Sequence, residues 1–241
     1  MEKKTGTHGV AYFLSERMLR TAAMVSRGTT VADVGCDHAY TSVYLVEQGI
    51  AAGVVAMDVN KGPLAKAREN VERFQMQDKI CLRLSDGLAA LVPGEVDTVL
   101  IAGMGGPLME RILAAHPATL EQVSELVLQP QSEAASLRKF VQKLGFRITK
   151  EDMLKEDGKY YVMFRAERGA EASWTEYEYR YGKYLKEEAY PVLREFLSEE
   201  RKTAKEVLAQ LDCAGTEKAE RRKEEVLLLL KQNESMEATL R

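Results

Sequence analysis

The chain is poor in cysteine. Cys36, Cys81 and Cys213 lie far apart with no paired spacing, which argues against a disulfide framework and against a zinc site. No apolar run approaches the roughly 18 residues that span a bilayer, and the opening MEKKTGTHGV lacks the apolar core of a secretory signal. A cytoplasmic protein is therefore expected, with no membrane contact, no metal and no obligate protein partner. Internal repeats and low-complexity linkers are missing, as is any Gly-x-x-x-x-Gly-Lys-Ser/Thr phosphate loop. Excess positive charge is missing too: 34 Lys and Arg stand against 37 Asp and Glu. That balance weighs against nucleic acid as a partner, because phosphate binding leaves a basic imprint on a domain. One local exception is Lys3, Lys4, Arg17, Arg20 and Arg27, with only Glu2 and Glu16 among them. This cluster is either an RNA-facing patch or a solvated helix face.

The 241 residues, 45% of them hydrophobic, suffice for one α/β domain and a smaller appendage. Residues 13–26, FLSERMLRTAAMVS, carry apolar side chains at helical spacing and stop before Gly28. Five short apolar runs follow: TVADVG, AAGVVAMDV, KICLRLSD, VDTVLIAGMGG and ELVLQPQ. They alternate with the helical segments AYTSVYLVEQG, GPLAKARENVERFQ, GPLMERILAAH and SEAASLRKFVQKLG. The alternation predicts a mostly parallel sheet with crossover helices, and continuous runs such as VVAM and TVLI suit strands buried on both faces. From Phe146 to about Arg168 two alternating runs flank Asp157-Gly158, which predicts an antiparallel hairpin at one sheet edge. Beyond Gly169 the apolar residues recur at helical period, with Pro191 expected to break the pattern near Tyr190. The expected organisation is a Rossmann-like domain over 1–169 and an antiparallel, coiled-coil-like helical hairpin over 170–241.

In an open parallel sheet, ligands bind at the carboxyl ends of the strands, where strand order reverses. The predicted strand ends here carry acids. The first ends in Asp33-Val34-Gly35-Cys36-Asp37, the second in Asp58, the third in Asp86-Gly87, and the fourth in Ala102-Gly103-Met104-Gly105-Gly106. Asp58 lies 23 positions after Gly35, close to the roughly 20-residue spacing at which an acid grips ribose hydroxyls. The Gly-x-Gly-x-x-Gly fingerprint is absent, because Asp37 stands where the second glycine belongs. A pyrophosphate beside that carboxylate would meet like-charge repulsion of about 1 kcal/mol in a wet site and several in a drier one. NAD and ATP are disfavoured, and a cationic ligand with ribose hydroxyls, such as S-adenosylmethionine, is favoured. A strand-end Asp can equally serve as a plain helix cap. Tyr179-x-x-x-Lys183 matches a dehydrogenase pair but falls after the sheet is complete, so chance explains it. Asp/Asn-Pro-Pro-Tyr, usual in methylases of exocyclic amines, is absent after the fourth strand, so the acceptor need not be an exocyclic amine.

ADVGCDHAY, KGPLAKARENV, DKICLRLSDGLAAL, VDTVLIAGMGG, LVLQPQ and EDGKYYVMFRAE occur in this order ahead of a helical tail. Together they closely resemble the bacterial tRNA adenine methyltransferase family TrmK, over nearly the whole chain. The resemblance implies a class I methyltransferase fold with S-adenosylmethionine as methyl donor, tRNA as substrate and N1 of adenine 22 as acceptor. It also implies a C-terminal helical domain that helps embrace tRNA. Carried over by position, Asp33, Gly35, Cys36, Asp58, Asp86, Gly87, Ala102, Gly103, Met104 and Gly105 would hold the cofactor, while Asp37, His38 and Tyr40 would face the adenine. Cys36 and Ser42 depart from the family's usual Ser and Pro, and an accessible Cys36 thiol would make the pocket reactive to electrophiles. Two rivals share the cofactor logic: a methyltransferase acting on a protein or small molecule, and a non-catalytic S-adenosylmethionine-binding module.

Overall fold

A computed structural model of the chain describes residues 9–185, 187–212 and 216–240. A 3-10 turn, Val10–Phe13, and helix α1, Glu16–Ala22, lead into strand β1, Thr29–Val34. There follow α2 (Tyr40–Glu47), β2 (Ala51–Asp58), α3 (Lys61–Arg73), β3 (Ile80–Leu84), β4 (Thr98–Met104), α4 (Gly106–Ala115), a short α5 (Pro117–Glu121), β5 (Glu125–Pro130) and α6 (Ala134–Lys143). The hairpin strands are β6 (Phe146–Glu156) and β7 (Lys159–Arg168), and the helices α7 (Glu176–Tyr181), α8 (Tyr190–Asp212) and α9 (Glu217–Thr239) end the chain.

The strands form one sheet in the order β3-β2-β1-β4-β5-β7-β6. The first five pair in parallel, and β7 runs antiparallel to both β5 and β6. Because side chains alternate across a strand, Ala32, Val34, Val55, Met57, Val99 and Ile101 enter one core with α4 and α6. Val31, Val54, Ala56, Leu100 and Val127 enter the other, with α2 and α3. Strand order reverses between β1 and β4, which opens a crevice above their carboxyl ends.

Each predicted strand appears, and the hairpin turns at Asp157-Gly158 as expected. The first helix differs. Ser15 accepts a hydrogen bond from the Met18 amide at 3.4 Å, so α1 starts at Glu16 and leaves Phe13 in the preceding 3-10 turn. Strand β3 stops at Leu84, because the Ser85 hydroxyl accepts from the Ala90 amide and donates to the Gly87 carbonyl, folding Ser85-Asp86-Gly87 into a turn. The expected break near Tyr190 is present: a 3-10 turn, Glu187–Ala189, ends there and α8 starts at Tyr190, with Pro191 in its first turn, where a missing N–H costs nothing.

The stretch after Gly169 does not go directly into a hairpin of helices. Thr175 and Glu178 form a capping box that starts α7, and Trp174 and Tyr179 join the sheet's own core. A buried ion pair fastens this segment. Arg138 Nε donates to Glu151 Oε1 at 2.7 Å with both side chains fully buried, and the Arg138 guanidinium also donates to the Tyr179 carbonyl at 2.8 Å. The second Glu151 oxygen accepts from the Lys183 and Tyr184 amides at 2.6 and 2.8 Å. Helices α8 and α9 then pair antiparallel, with Arg201 on Asn233 and Glu237. Asn233 is wholly buried and donates to the Leu197 carbonyl at 2.9 Å, which fixes the register of the two helices. The pair rests on the hairpin through Lys155, which reaches Glu195 at 2.7 Å and Glu199 at 3.0 Å.

Removing Glu151 would leave a buried guanidinium uncompensated and two amides without acceptors. Glu151→Ala should therefore lower the unfolding free energy by about 3–5 kcal/mol. A loss below about 1 kcal/mol in urea unfolding would show that the pin is dispensable.

Candidate active site

The crevice above β1 and β4 is a cleft of about 780 Å³, within the roughly 300–1,000 Å³ of small-molecule sites. Asp33, Gly35, Cys36, Asp37, His38, Tyr40, Asp58, Asp86, Gly87, Ala102, Gly103 and Met104 all line it. Gly105 is not among the lining residues, because it serves as the N-cap of α4 and faces the Ser132 hydroxyl.

The turn after β1 is held to the end of β2. The Gly35 and Cys36 amides both donate to the Met57 carbonyl, at 2.8 and 2.9 Å. Gly35 has φ +75°, a conformation that favours glycine, and a Cβ there would also displace the flexible end of Met104, 2.2 Å away. Asp37 and Ala39 also adopt left-handed conformations, φ +49° and +57°. Asp37 thus takes, as an L-residue, the kind of conformation glycine favours, while adding a carboxylate; Asp is among the few side chains that tolerate it. Asp58, nearly buried, accepts from the Asp37 amide at 3.3 Å and from the Asn60 amide at 2.8 Å.

Three carboxylates crowd this turn. Asp33 is buried and accepts from the Ser42 hydroxyl at 2.6 Å. Desolvation pushes its carboxyl up to about 6; the Ser42 hydrogen bond opposes that shift and the Asp58 charge adds to it. Cys36 is 7% exposed, and burial together with the charges of Asp33, Asp58 and Asp37 pushes its thiol above the usual range. The thiolate is the reactive form, so the expected reactivity toward electrophiles is not supported. Asp37 by contrast is open, with 69% of its side chain exposed and Oδ1 3.3 Å from His38 Nε2. The His38 carbonyl is held by Asn70 at 2.9 Å. Asp86 stands exposed on the turn after β3, beside Gly87 at φ +58°.

Opposite the acids, Gly103 turns at φ +76° and its amide donates to Gln129 Oε1 at 3.1 Å. Gln129 is completely buried in β5, and the same oxygen accepts from Arg17 Nη1. Arg17 lines the cleft with its guanidinium 4.9 Å from the Tyr161 ring and 3.8 Å from Glu156. Among the described residues of the expected basic patch, each arginine has protein partners. Arg20 is committed to Asp152 by two bonds of 2.8 and 2.6 Å, because α1 packs on the acidic side of β6. Arg27 donates to the Gln48 and Gly49 carbonyls at 3.3 Å, at the end of α2. Lys3 and Lys4 lie outside the described residues. Sequence reasoning also missed Phe13, Gln129 and Arg111 near the cleft. Gln129 had a signal in its place at the carboxyl end of β5, but Phe13, ahead of the sheet, had none.

Asp33 gives the site a pH signature. Its folded-state carboxyl holds a proton more tightly than the ordinary 3.8, so its contribution to stability is fully present below about pH 4 and lost as pH rises through about 6. In the ligand-free protein that loss is on the order of 3 kcal/mol. Asn at this position can still accept from Ser42, so Asp33→Asn should flatten the fall in stability across that window. Equal pH slopes in chemical unfolding of the two proteins would rule this out.

The sequence pattern of the family TrmK, tRNA (adenine(22)-N(1))-methyltransferase, matches residues 31–235. The Bacillus subtilis protein of that name is 37% identical over 156 residues, which cover 65% of this chain and 66% of that protein. The aligned part thus falls just short of two thirds of that relative. A Streptococcus pneumoniae structure described as a putative tRNA (m1A22) methyltransferase superposes with a TM-score of 0.84 at 34% identity, covering 92% of this chain and 98% of the other. The same protein in complex with S-adenosyl-L-methionine superposes at 0.79 and 32%, with the same coverage. With the family pattern spanning sheet, cleft and helical tail alike, this chain belongs to the TrmK family of tRNA (adenine(22)-N(1))-methyltransferases.

Proposed function

We propose that this protein transfers the methyl group of S-adenosylmethionine to ring nitrogen N1 of adenine 22 in tRNA, in the cytoplasm. The observation that carries the reading is the clustering of carboxylates at the strand-order switch. Asp33, Asp37, Asp58 and Asp86 all line one cleft, which repels pyrophosphate and attracts a ligand bearing a sulfonium and an ammonium. Gly35, at φ +75°, also lines the cleft and presents bare backbone to it. The bound cofactor supplies an electrophilic methyl group.

Asp58 keeps lone pairs beyond those given to the Asp37 and Asn60 amides, and these can take ribose hydroxyls. Gly35, Cys36, Gly87, Ala102, Gly103 and Met104 offer backbone around the same volume, with Asp33 and Asp86 adding negative charge. Adenine N1 is an unprotonated lone pair at neutral pH, so the residues around it have no proton to remove. Their work is to hold the base in line, a proximity effect, and to receive the positive charge that methylation places on the ring. Asp37 is the open carboxylate for that charge, and His38 and Tyr40 orient the base. The target must leave its stack in the tRNA to enter. Arg17 offers one cation at the cleft, and the exposed Lys202 and Lys205, one turn apart on α8, offer others for tRNA phosphates.

Incubation with labelled S-adenosylmethionine and unmodified tRNA transcripts, then nucleoside digestion, should yield 1-methyladenosine, and replacing adenine 22 should abolish it. Label in any other nucleoside, or in none, refutes the assignment. Asp37→Ala should lower turnover about 10²-fold or more while equilibrium cofactor binding changes less than about twofold; wild-type turnover would remove Asp37 from the chemistry. Reversing charge at Lys202 and Lys205 together should raise KM for tRNA and leave kcat unchanged, and an unaltered KM would take α8 out of the tRNA interface.

A further inference from the structure

Two residues apart on a regular helix, side chains do not share a face. His38 and Tyr40 nevertheless lie with their rings 1° from parallel and 6.1 Å apart. The left-handed backbone of Asp37 and Ala39 brings this about. The arrangement continues. Phe13, from the 3-10 turn far away in sequence, lies 5.0 Å from Tyr40 and 6° from parallel. Beyond Phe13 the Arg73 guanidinium, at the end of α3, stands 5.0 Å from the ring centre, and Phe74 meets Phe13 edge-on at 6.3 Å.

His38, Tyr40 and Phe13 all line the cleft, and 44% of the His38 side chain is exposed there. Filling a core does not require three parallel rings, since edge-to-face contacts serve as well. Parallel planes ending in an open ring are what an unstacked nucleobase needs, because every base presents a flat π-face to aromatic side chains. Asp37, 3.3 Å from His38 Nε2, adds a second hold on the terminal ring.

Building on the tRNA reading above, we propose that Phe13, Tyr40 and His38 form a nucleobase-stacking column whose open end receives the target purine. Phe13 is a positioning residue: it holds Tyr40 in plane, Tyr40 holds His38, and Arg73 closes the far end by its cation–π contact. A signal for Phe13 could not be found in the loops after the strands, because it arrives from before the sheet.

The test compares Phe13→Leu, which keeps apolar bulk without a ring, with Phe13→Trp, which restores the ring, in the full-length protein. Phe13→Leu should lower kcat/KM for tRNA at least about tenfold, the range of a lost base–aromatic stack, with cofactor affinity unchanged; Phe13→Trp should stay within about threefold of wild type. A second readout needs no methyl transfer. Wild type and Phe13→Trp should bind tRNA with adenine at position 22 more tightly than tRNA with an abasic site there, and Phe13→Leu should lose that preference. If the two variants behave alike, whether both active or both crippled, the column is only packing and the inference falls. If wild type itself methylates no tRNA, the functional reading fails first, which separates the two outcomes.

Discussion

The cleft depends on one tether, the hold of the Asp58 carboxylate and the Met57 carbonyl on the turn after β1. Met57 takes the Gly35 and Cys36 amides and Asp58 takes those of Asp37 and Asn60, so the ends of two parallel strands share one network. That network obliges the chain to turn with positive φ at Gly35, Asp37 and Ala39. Such conformations in non-glycine residues cost on the order of 1–3 kcal/mol each, and here the strain has a visible product. It lifts Asp37 into the open, puts His38 and Tyr40 on one side, and draws α2 over Cys36. Break the tether and the carboxylate, the ring pair and the floor at Gly35 lose their common reference.

The far side of the cleft is organised by a different economy of donors. Gln129 has a single side-chain acceptor, and it serves both the Gly103 amide and Arg17. This joins α1 to Gly103 in β4 through a side chain 112 residues beyond Arg17. Arg17 is also 3.8 Å from Glu156, so its charge is partly balanced and its geometry fixed before any ligand arrives. The buried Arg138–Glu151 pair does the same at larger scale. Removing one partner there is expensive because the other stays buried and charged, and the pair ties α7 and the following loop to α6 and β6.

What the sequence discloses and what it hides divide along the range of the interaction. The five parallel strands and the hairpin turn at Asp157-Gly158 are local patterns of apolar residues and turn chemistry, and they stand where the pattern puts them. The acids at the strand ends were legible for the same reason: they follow their strands directly. Boundaries set by one capping side chain were legible only in principle, as with Ser15 dividing Phe13 from α1 and Thr175 starting α7. Pro191 was legible for a like reason: a proline is excluded from a helix interior but suits a first turn, and α8 begins at Tyr190. Long-range pairs left no local trace. Nothing near Arg20 announces Asp152, 132 residues on, so a cluster of cations in the sequence became one cleft residue, one internal ion pair and one helix-end cap. Trp174 and Tyr179 fell in the stretch assigned to the helical tail because strand signals stop after Gly169, yet they pack against the sheet.

The charge arrangement also bears on the direction of the proposed reaction. Methyl transfer moves one positive charge across the cleft, from the cofactor's sulfur to the base, without creating one. If every carboxylate stood on the cofactor side, the protein would favour the charge where it starts and oppose its departure. In the proposed reading Asp33 and Asp58, buried or nearly so, stand on that starting side, and burial raises the Asp33 carboxyl to about 6. Asp37 is different in kind: exposed and joined to His38 at the open end of the ring column. A carboxylate in that place gains interaction energy as the ring becomes cationic, and little of it is spent on the neutral base, which is the condition for lowering a barrier rather than only tightening binding. In the proposed reading, the acid in place of the second glycine both disfavours a pyrophosphate and is the one best placed to favour the product's charge.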